Sequence, residues 1–345
     1  MYYTEQEIMS QHEALQRTYE YLKSKKEDLA WFFERTGKRQ FVLMGCGSSY
    51  MLAKSGQRLF GSYENTQAIA VAGGDFLVNP RPYLNFIKDS IVICLSRSGK
   101  TSEMVRSVER IKREFNCPIL SVTMRADNAL APYADINLIL DWCYDESVCQ
   151  TRSVTNFYLA EAMLAAFYGG DTELEKDLGI AASENEKYKE VYRPILAEAA
   201  KKDWEKVVVL ADGAACGVAE EGALAFAEIS RLPGYYSNLL DYRHGPMVLN
   251  DDKTLNIILL SNGDMKLQRA LVEDIKKRNG IVIIAYETAE NIFDADIHIH
   301  LGSCKRQESL GIPFLFVMQI LALEKALRKG CDPDVPEGLD AYITL

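Results

Sequence analysis

The chain has 345 residues, 48% of them hydrophobic and 26% charged, a balance that excludes a disordered polypeptide. That length exceeds one ordinary core, so two domains of similar size are expected. A formal net charge of -10 removes the basic footprint that nucleic acid or an anionic lipid surface would need.

The opening stretch MYYTEQEIMSQHEALQRTYEYL is polar with helical periodicity. It lacks a signal-type apolar segment and a membrane-length run, so a helical segment over 1–36 and a cytoplasmic location are expected. Trp31, Phe32 and Phe33 read as packing of this segment on the body, and His12 as solvated. From Lys38 onward, short β-branched runs alternate with helical stretches, the pattern of a parallel sheet wrapped by helices. QFVLMG (40–45), AIAV (68–71), SIVICLS (90–96), PILSVT (118–123) and INLIL (136–140) read as buried strands, with helices at 50–61, 101–115 and 154–168. The segment 171–204 is rich in Glu and Lys without a strand-like run, and reads as a surface helix joining two halves. The alternation then resumes with KVVVLADG (206–213), TLNIILLSNG (254–263), IVIIAY (281–286) and DIHIHL (296–301), separated by helices, as a weak internal repeat. Domains are thus expected over 37–170 and 205–330, followed by a tail over 331–345.

Chemistry concentrates at strand ends. The strand at 40–45 runs into GCGSSYMLAK and that at 90–96 into SRSGKTSE, each a turn of small and hydroxyl residues opening a helix. Such a turn offers backbone N–H groups, a helix N-terminus and hydroxyl donors to an anion. Neither turn is GxxxxGK[ST] or GxGxxG, so no nucleotide is implied. Ser48, Ser49, Ser98 and Thr101 read singly as helix caps. Two such turns in one half of a sheet favour a phosphate cradle. A third hydroxyl cluster at 151, 153 and 155 precedes an apolar helix and reads either as capping or as the closing edge of the same pocket.

In the second half, Glu221 and Glu228 lie seven apart on one helical face with Leu224 between them. They read either as surface acids or, in a partly apolar setting with raised pKa, as proton carriers. A partner for such a carrier is His244, one of four histidines, held in DYRHGPM beside a Gly-Pro turn. His298 and His300 alternate on one strand face without a third ligand and do not make a metal site. The eight cysteines show no CxxC or Cys/His spacing and read as buried thiols of a reducing compartment.

GCGSSY, SRSGKTSE, TRSVT, EGALAFAEIS and YRHGPM together resemble the sugar isomerase (SIS) family with two tandem domains, over nearly the whole chain. The resemblance implies an α/β fold of two tandem doubly wound, flavodoxin-like parallel sheets. It is similar to the isomerase half of glucosamine-6-phosphate synthase, to galactosamine-6-phosphate deaminase/isomerases and to archaeal glucosamine-6-phosphate deaminases. It implies that Ser48, Ser49, Ser96, Arg97, Ser98 and Thr101 surround a sugar phosphate, with Thr151 closing the pocket and Glu221 also on the substrate side. Glu228 would move a proton between C1 and C2 of the open-chain sugar, and His244 would open the ring from a neighbouring subunit of a homodimer. No metal, organic cofactor, nucleic acid or membrane partner is implied.

Departures from the family narrow the reaction. Tyr2 stands where a glutaminase domain would begin with cysteine, Ala341 where the synthase tail carries lysine, and Ala225 where a second lysine precedes the catalytic Glu. A 2-amino sugar brings its own nitrogen, so these losses fit deamination better than synthesis. Two alternatives remain open: a deglycase of a phosphorylated sugar–amino acid conjugate, and a non-catalytic sugar-phosphate sensor. The two SIS units and the acidic charge weigh against the sensor.

Overall fold

The computed structural model describes residues 1–286 and 292–344, so residues 287–291 of the expected second domain and residue 345 of the expected tail lie outside the described residues. The chain opens with α1 (Tyr3–Ser24) and α2 (Lys26–Thr36), then builds β1 (Gln40–Gly45), α3 (Ser48–Gly61), β2 (Gln67–Ala72), α4 (Gly73–Val78), α5 (Leu84–Ile87), β3 (Ser90–Ser96), α6 (Ser102–Phe115), β4 (Ile119–Thr123), β5 (Ile136–Ile139) and α7 (Arg152–Gly169). After α8 (Thr172–Ala199) come β6 (Lys206–Leu210), α9 (Cys216–Ile229), β7 (Gly234–Ser237), β8 (Thr254–Leu259), α10 (Met265–Lys276), β9 (Ile281–Tyr286), β10 (Ile297–His300) and α11 (Gly311–Lys329). β7 is a strand that the sequence pattern did not announce.

The strands form two five-stranded parallel sheets, ordered β2-β1-β3-β4-β5 and β10-β9-β8-β6-β7. Read from the opposite edge, the second order repeats the first, with β6 in the place of β1. The two strands start 166 residues apart (206 minus 40), and the ion pair Lys54–Glu220 joins α3 to α9 across the same separation of 166. Equivalent helices of the two halves therefore face each other across a local twofold relation.

Parallel strands covered on both faces are near-continuous apolar runs, and β1 and β3 follow this rule. Side chains alternate between the two faces. Phe41 and Leu43 point into one large buried cluster that also takes Val207 and Val209 of β6 and the apolar residues of α7, α9 and α11. Val42 and Met44 point the other way, into a smaller cluster under α6. Val208 and Leu210 do the same beneath α10. The two sheets thus share one inner helical layer.

Two expectations need correction. The segment 171–204 is built on one helix, α8, whose Leu174, Leu178, Ala181, Tyr188, Tyr192 and Leu196 are buried, so it is half core and half surface, packed on α1 and α11. His12 is buried at 8% exposure, with Nε2 3.6 Å from the Glu186 carboxylate, because α1 lies under α8. All eight cysteines are free thiols, Cys46 and Cys331 partly exposed and the others buried. No helix among the described residues is long and apolar enough to cross a membrane.

Candidate active site

Strand order reverses direction between β1 and β3, and in open parallel sheets the crevice outside such a switch point is where ligands bind. A cavity of about 190 Å³ lies there. Its walls are the turn Cys46–Ser49, the turn Ser96–Thr101, Val148 and Gln150 before α7, Glu228 on α9, and tail residues 339–343.

Each turn shapes donors toward this space. After β3 the chain passes Gly99 at φ +62, where a Cβ would stand 2.4 Å from that of Asn128, so only glycine fits. The Gly99 N–H donates to Ser96 Oγ and the Lys100 N–H to Ser98 Oγ, both at 3.1 Å. Each hydroxyl accepts a backbone proton and retains its own O–H to donate, which suits an anion. Thr101 sits at the N-cap of α6 without a side-chain capping bond, and the helix N-terminus behind it faces the same space. Ser48 and Ser49 open α3 in the same manner from β1. The Cys46 thiol also lines the cavity, but burial pushes it up to about 11, so it stays protonated.

Glu228 closes the far side from the last turn of α9. Burial raises its pKa to about 7, against the Arg97 guanidinium and a hydrogen bond from the Cys149 thiol, which both lower it. A carboxyl with that pKa exchanges a proton readily near neutrality. Glu221, two helical turns earlier, is 2% exposed and lies behind the cavity wall, not among its lining residues. Burial and then the charge of Glu228 push its pKa well above the usual carboxylate range, against a hydrogen bond from Ser48. Glu221 therefore holds Ser48 from behind the cavity wall.

Arg97 lines the cavity, yet its guanidinium is engaged elsewhere. It donates to the carbonyls of Ser147 (3.1 Å), Val148 (3.0 Å) and Ala341 (3.0 Å). Three of the five N–H groups of an arginine are thereby used. It is a fixed positive charge that joins the 147–148 loop to the tail. Glu7 of α1 holds the same loop, accepting from the Glu146 and Ser147 N–H groups (2.6 and 3.2 Å) and from the Ser147 hydroxyl. Asp334 starts the tail under control of α1: its carboxylate accepts from the Tyr3 and Thr4 N–H groups and the Thr4 hydroxyl, each at 2.8 Å, and its carbonyl accepts from Val148. The tail then crosses the cavity, and the Ser102 N–H at the head of α6 donates to the Ile343 carbonyl at 3.2 Å.

Besides Glu221, two residues named from the sequence, Thr151 and His244, do not line the cavity of their own chain. Thr151 is fully buried beneath it, its N–H donating to the Asp145 carboxylate at 3.0 Å and its carbonyl accepting from Gln319 at 2.8 Å. Asp145 also accepts from the Ser153 N–H and hydroxyl, so it caps α7 and leaves Thr151 a scaffold role; Gln150 and Val148 take the wall position. His244 lies outside the cavity on an exposed turn between short helices at 241–243 and 246–249. Gly245, at φ +124, lets the chain reverse there, and Arg243 anchors the turn to Asp274. Val248 and Leu249 beside it are 82% and 70% exposed, an apolar rim around an outward-facing imidazole. Glu7, Asp334 and the tail wall were not singled out by the sequence, because their partners lie 139 or more residues away.

The SIS domain model matches residues 36–167 and 202–324. D-galactosamine-6-phosphate deaminase from Escherichia coli is 26% identical, over 97% of this chain and 92% of its own. In solved structures, the fold is similar to tagatose-6-phosphate ketose/aldose isomerase from Escherichia coli (TM-score 0.87, 24% identity, 98% of this chain and 96% of that one). It is likewise similar to glucosamine-6-phosphate deaminase from Thermotoga maritima (TM-score 0.83, 21% identity, 99% and 100%).

Proposed function

The chain belongs to the SIS domain family, and from that premise we propose that it is a phosphosugar isomerase of the deaminating kind, acting on an amino-sugar 6-phosphate. The observation that carries this reading is the pairing, in one cavity, of a hydroxyl-lined helix N-terminus with a carboxyl of pKa about 7. The first suits a phosphate and the second a proton that must be taken up and returned. The phosphate binds among Ser48, Ser49, Ser96, Ser98 and Thr101, where hydroxyl and backbone donors meet the dipole of α6. Glu228 takes the proton from C2 of the open-chain sugar and returns it at C1, through an enolamine. Hydrolysis of the resulting ketimine releases ammonia and a ketohexose 6-phosphate. The Arg97 charge beside Glu228 supports the negative charge that develops on the substrate.

His244 opens the sugar ring, and a second copy of the chain brings it to the cavity. Its exposed turn and apolar rim support that arrangement, since His244 does not line the cavity of its own chain. The named relatives support the class of reaction; the epimer follows from assay. The test is ammonia release from glucosamine 6-phosphate and galactosamine 6-phosphate, with fructoselysine 6-phosphate in parallel and Glu228→Gln and His244→Ala as controls. Ammonia that both substitutions abolish is the expected result. Free lysine released from the conjugate, with no ammonia from either hexosamine, would move the protein to the deglycases.

A further inference from the structure

Two acidic side chains line the cavity, Glu228 and Asp340. Glu228 carries the proton in the reaction above, and Asp340 has no part in it. We propose that Asp340 recognises the ammonium group of the substrate and so selects amine-bearing sugar phosphates over neutral ones. This rests on the reading of the cavity as an amino-sugar phosphate site.

The position of Asp340 is fixed from both sides. Leu339 N–H donates to the Pro336 carbonyl at 3.2 Å, and Arg231 holds the Glu337 carbonyl at 3.0 Å. On the other side Arg97 holds the Ala341 carbonyl at 3.0 Å, and Ser102 holds that of Ile343 at 3.2 Å. Asp340 is therefore held over the cavity by its neighbours' backbone. Among the described residues its carboxylate has no hydrogen bond and no ion pair, so it contributes nothing to holding the tail and is free to meet a ligand.

Charge assignment around the cavity leads to the same place. The cationic side chain on its walls, Arg97, is engaged with three carbonyls. Phosphate donors cluster at the head of α6, where Ile343 touches Ser102. Asp340 lies three residues from that contact (343 minus 340), up to about 10 Å of extended chain. The carbon chain of a hexose phosphate is no longer than that reach, so an acid lining the same cavity as Glu228 can meet the end of the substrate opposite the phosphate. A 2-amino sugar carries its cation at that end, where Glu228 works. A carboxylate there makes a charge-assisted hydrogen bond to ammonium, whereas a hydroxyl at the same carbon gains much less.

The experiment compares binding of paired ligands by calorimetry, using the full chain with Glu228→Gln to block turnover, with and without Asp340→Asn. The ligands are glucosamine 6-phosphate and galactosamine 6-phosphate, each against its nitrogen-free sugar alcohol, glucitol or galactitol 6-phosphate. The parent variant should prefer the amine. Asp340→Asn should weaken amine binding by roughly tenfold or more and leave alcohol binding within about twofold. Equal loss on both ligands, no loss, or no amine preference in the parent overturns the proposal. Ammonia release by the unsubstituted protein is scored separately. Without ammonia but with the Asp340-dependent preference, the deaminase reading falls and this one stands; with ammonia and no such preference, the reverse holds.

Discussion

Glu161 offers a sharp test of the electrostatics of this fold. It sits inside α7, fully buried, and neither carboxylate oxygen has a hydrogen-bond partner. Its Oε1 would stand 2.7 Å from a Cβ at Gly56, so the acid is wedged between α7 and α3. Burial pushes its pKa well above the ordinary 4.5. Above pH 4.5 the unfolded chain has released this proton while the folded chain keeps it, so the stability linked to this group is fully present below 4.5 and is lost as pH rises toward the folded pKa. The slope for one proton is about 1.4 kcal/mol per pH unit. Glu161→Gln keeps the shape and removes the proton. The stability of the variant minus that of the parent should therefore grow as pH rises from 5 to 7, at most at that one-proton slope, for as long as the folded carboxyl stays protonated. Urea unfolding of both proteins at pH 5, 6 and 7 reads this difference, and subtraction cancels Glu7, Glu221 and Glu228, whose pKa values are also raised. A difference that stays flat with pH would refute the reasoning, because it would mean an ionised, partnered Glu161 in the folded state.

Other expected outcomes concern the cavity. With Glu228 titrating at about 7 and acting as base, kcat/KM for the amino-sugar phosphate should rise with pH through that value, and Glu228→Gln should lower it by about 100- to 10,000-fold without lowering thermal stability. If His244 acts across a dimer, mixing inactive Glu228→Gln and His244→Ala subunits should restore roughly a quarter of the parental specific activity, since random pairing gives half heterodimers with one intact site each; no recovery after subunit exchange would place His244 in its own chain's site. Arg97→Met removes the charge that lowers Glu228 and the bonds that hold the tail, so the acid limb of the rate profile should move to higher pH and proteolysis after residue 334 should accelerate. An unmoved limb would show that Arg97 only braces the tail.

The sheets were legible because each central strand is covered on both faces and so appears as an unbroken apolar run. β7 was not, since GYYS is a four-residue edge strand with two exposed positions and no such run. The buried side of α8 was written in the spacing Leu174, Leu178, Ala181, Asn185, Tyr188, Tyr192 and Leu196, at steps of three and four, but its Glu and Lys content concealed it. In the site, the turns after β1 and β3 could be read because glycine and hydroxyls at a strand end have a local meaning. Thr151 misled for the same reason: the capping work at α7 falls to Asp145, six residues away. Nothing local announces the tail as a cavity wall, or α1 as its anchor through Asp334 across 331 residues. A local pattern reports what a residue can do with its neighbours; it cannot report which distant carbonyl will occupy an arginine. The C-terminal tail, outside both sheets, is tied to α1 through Asp334 and then laid over the switch point. On the proposed reading, the sheet-end turns hold the anion while the tail supplies the wall, where one exposed acid, Asp340, distinguishes substrates without altering the turns beneath it.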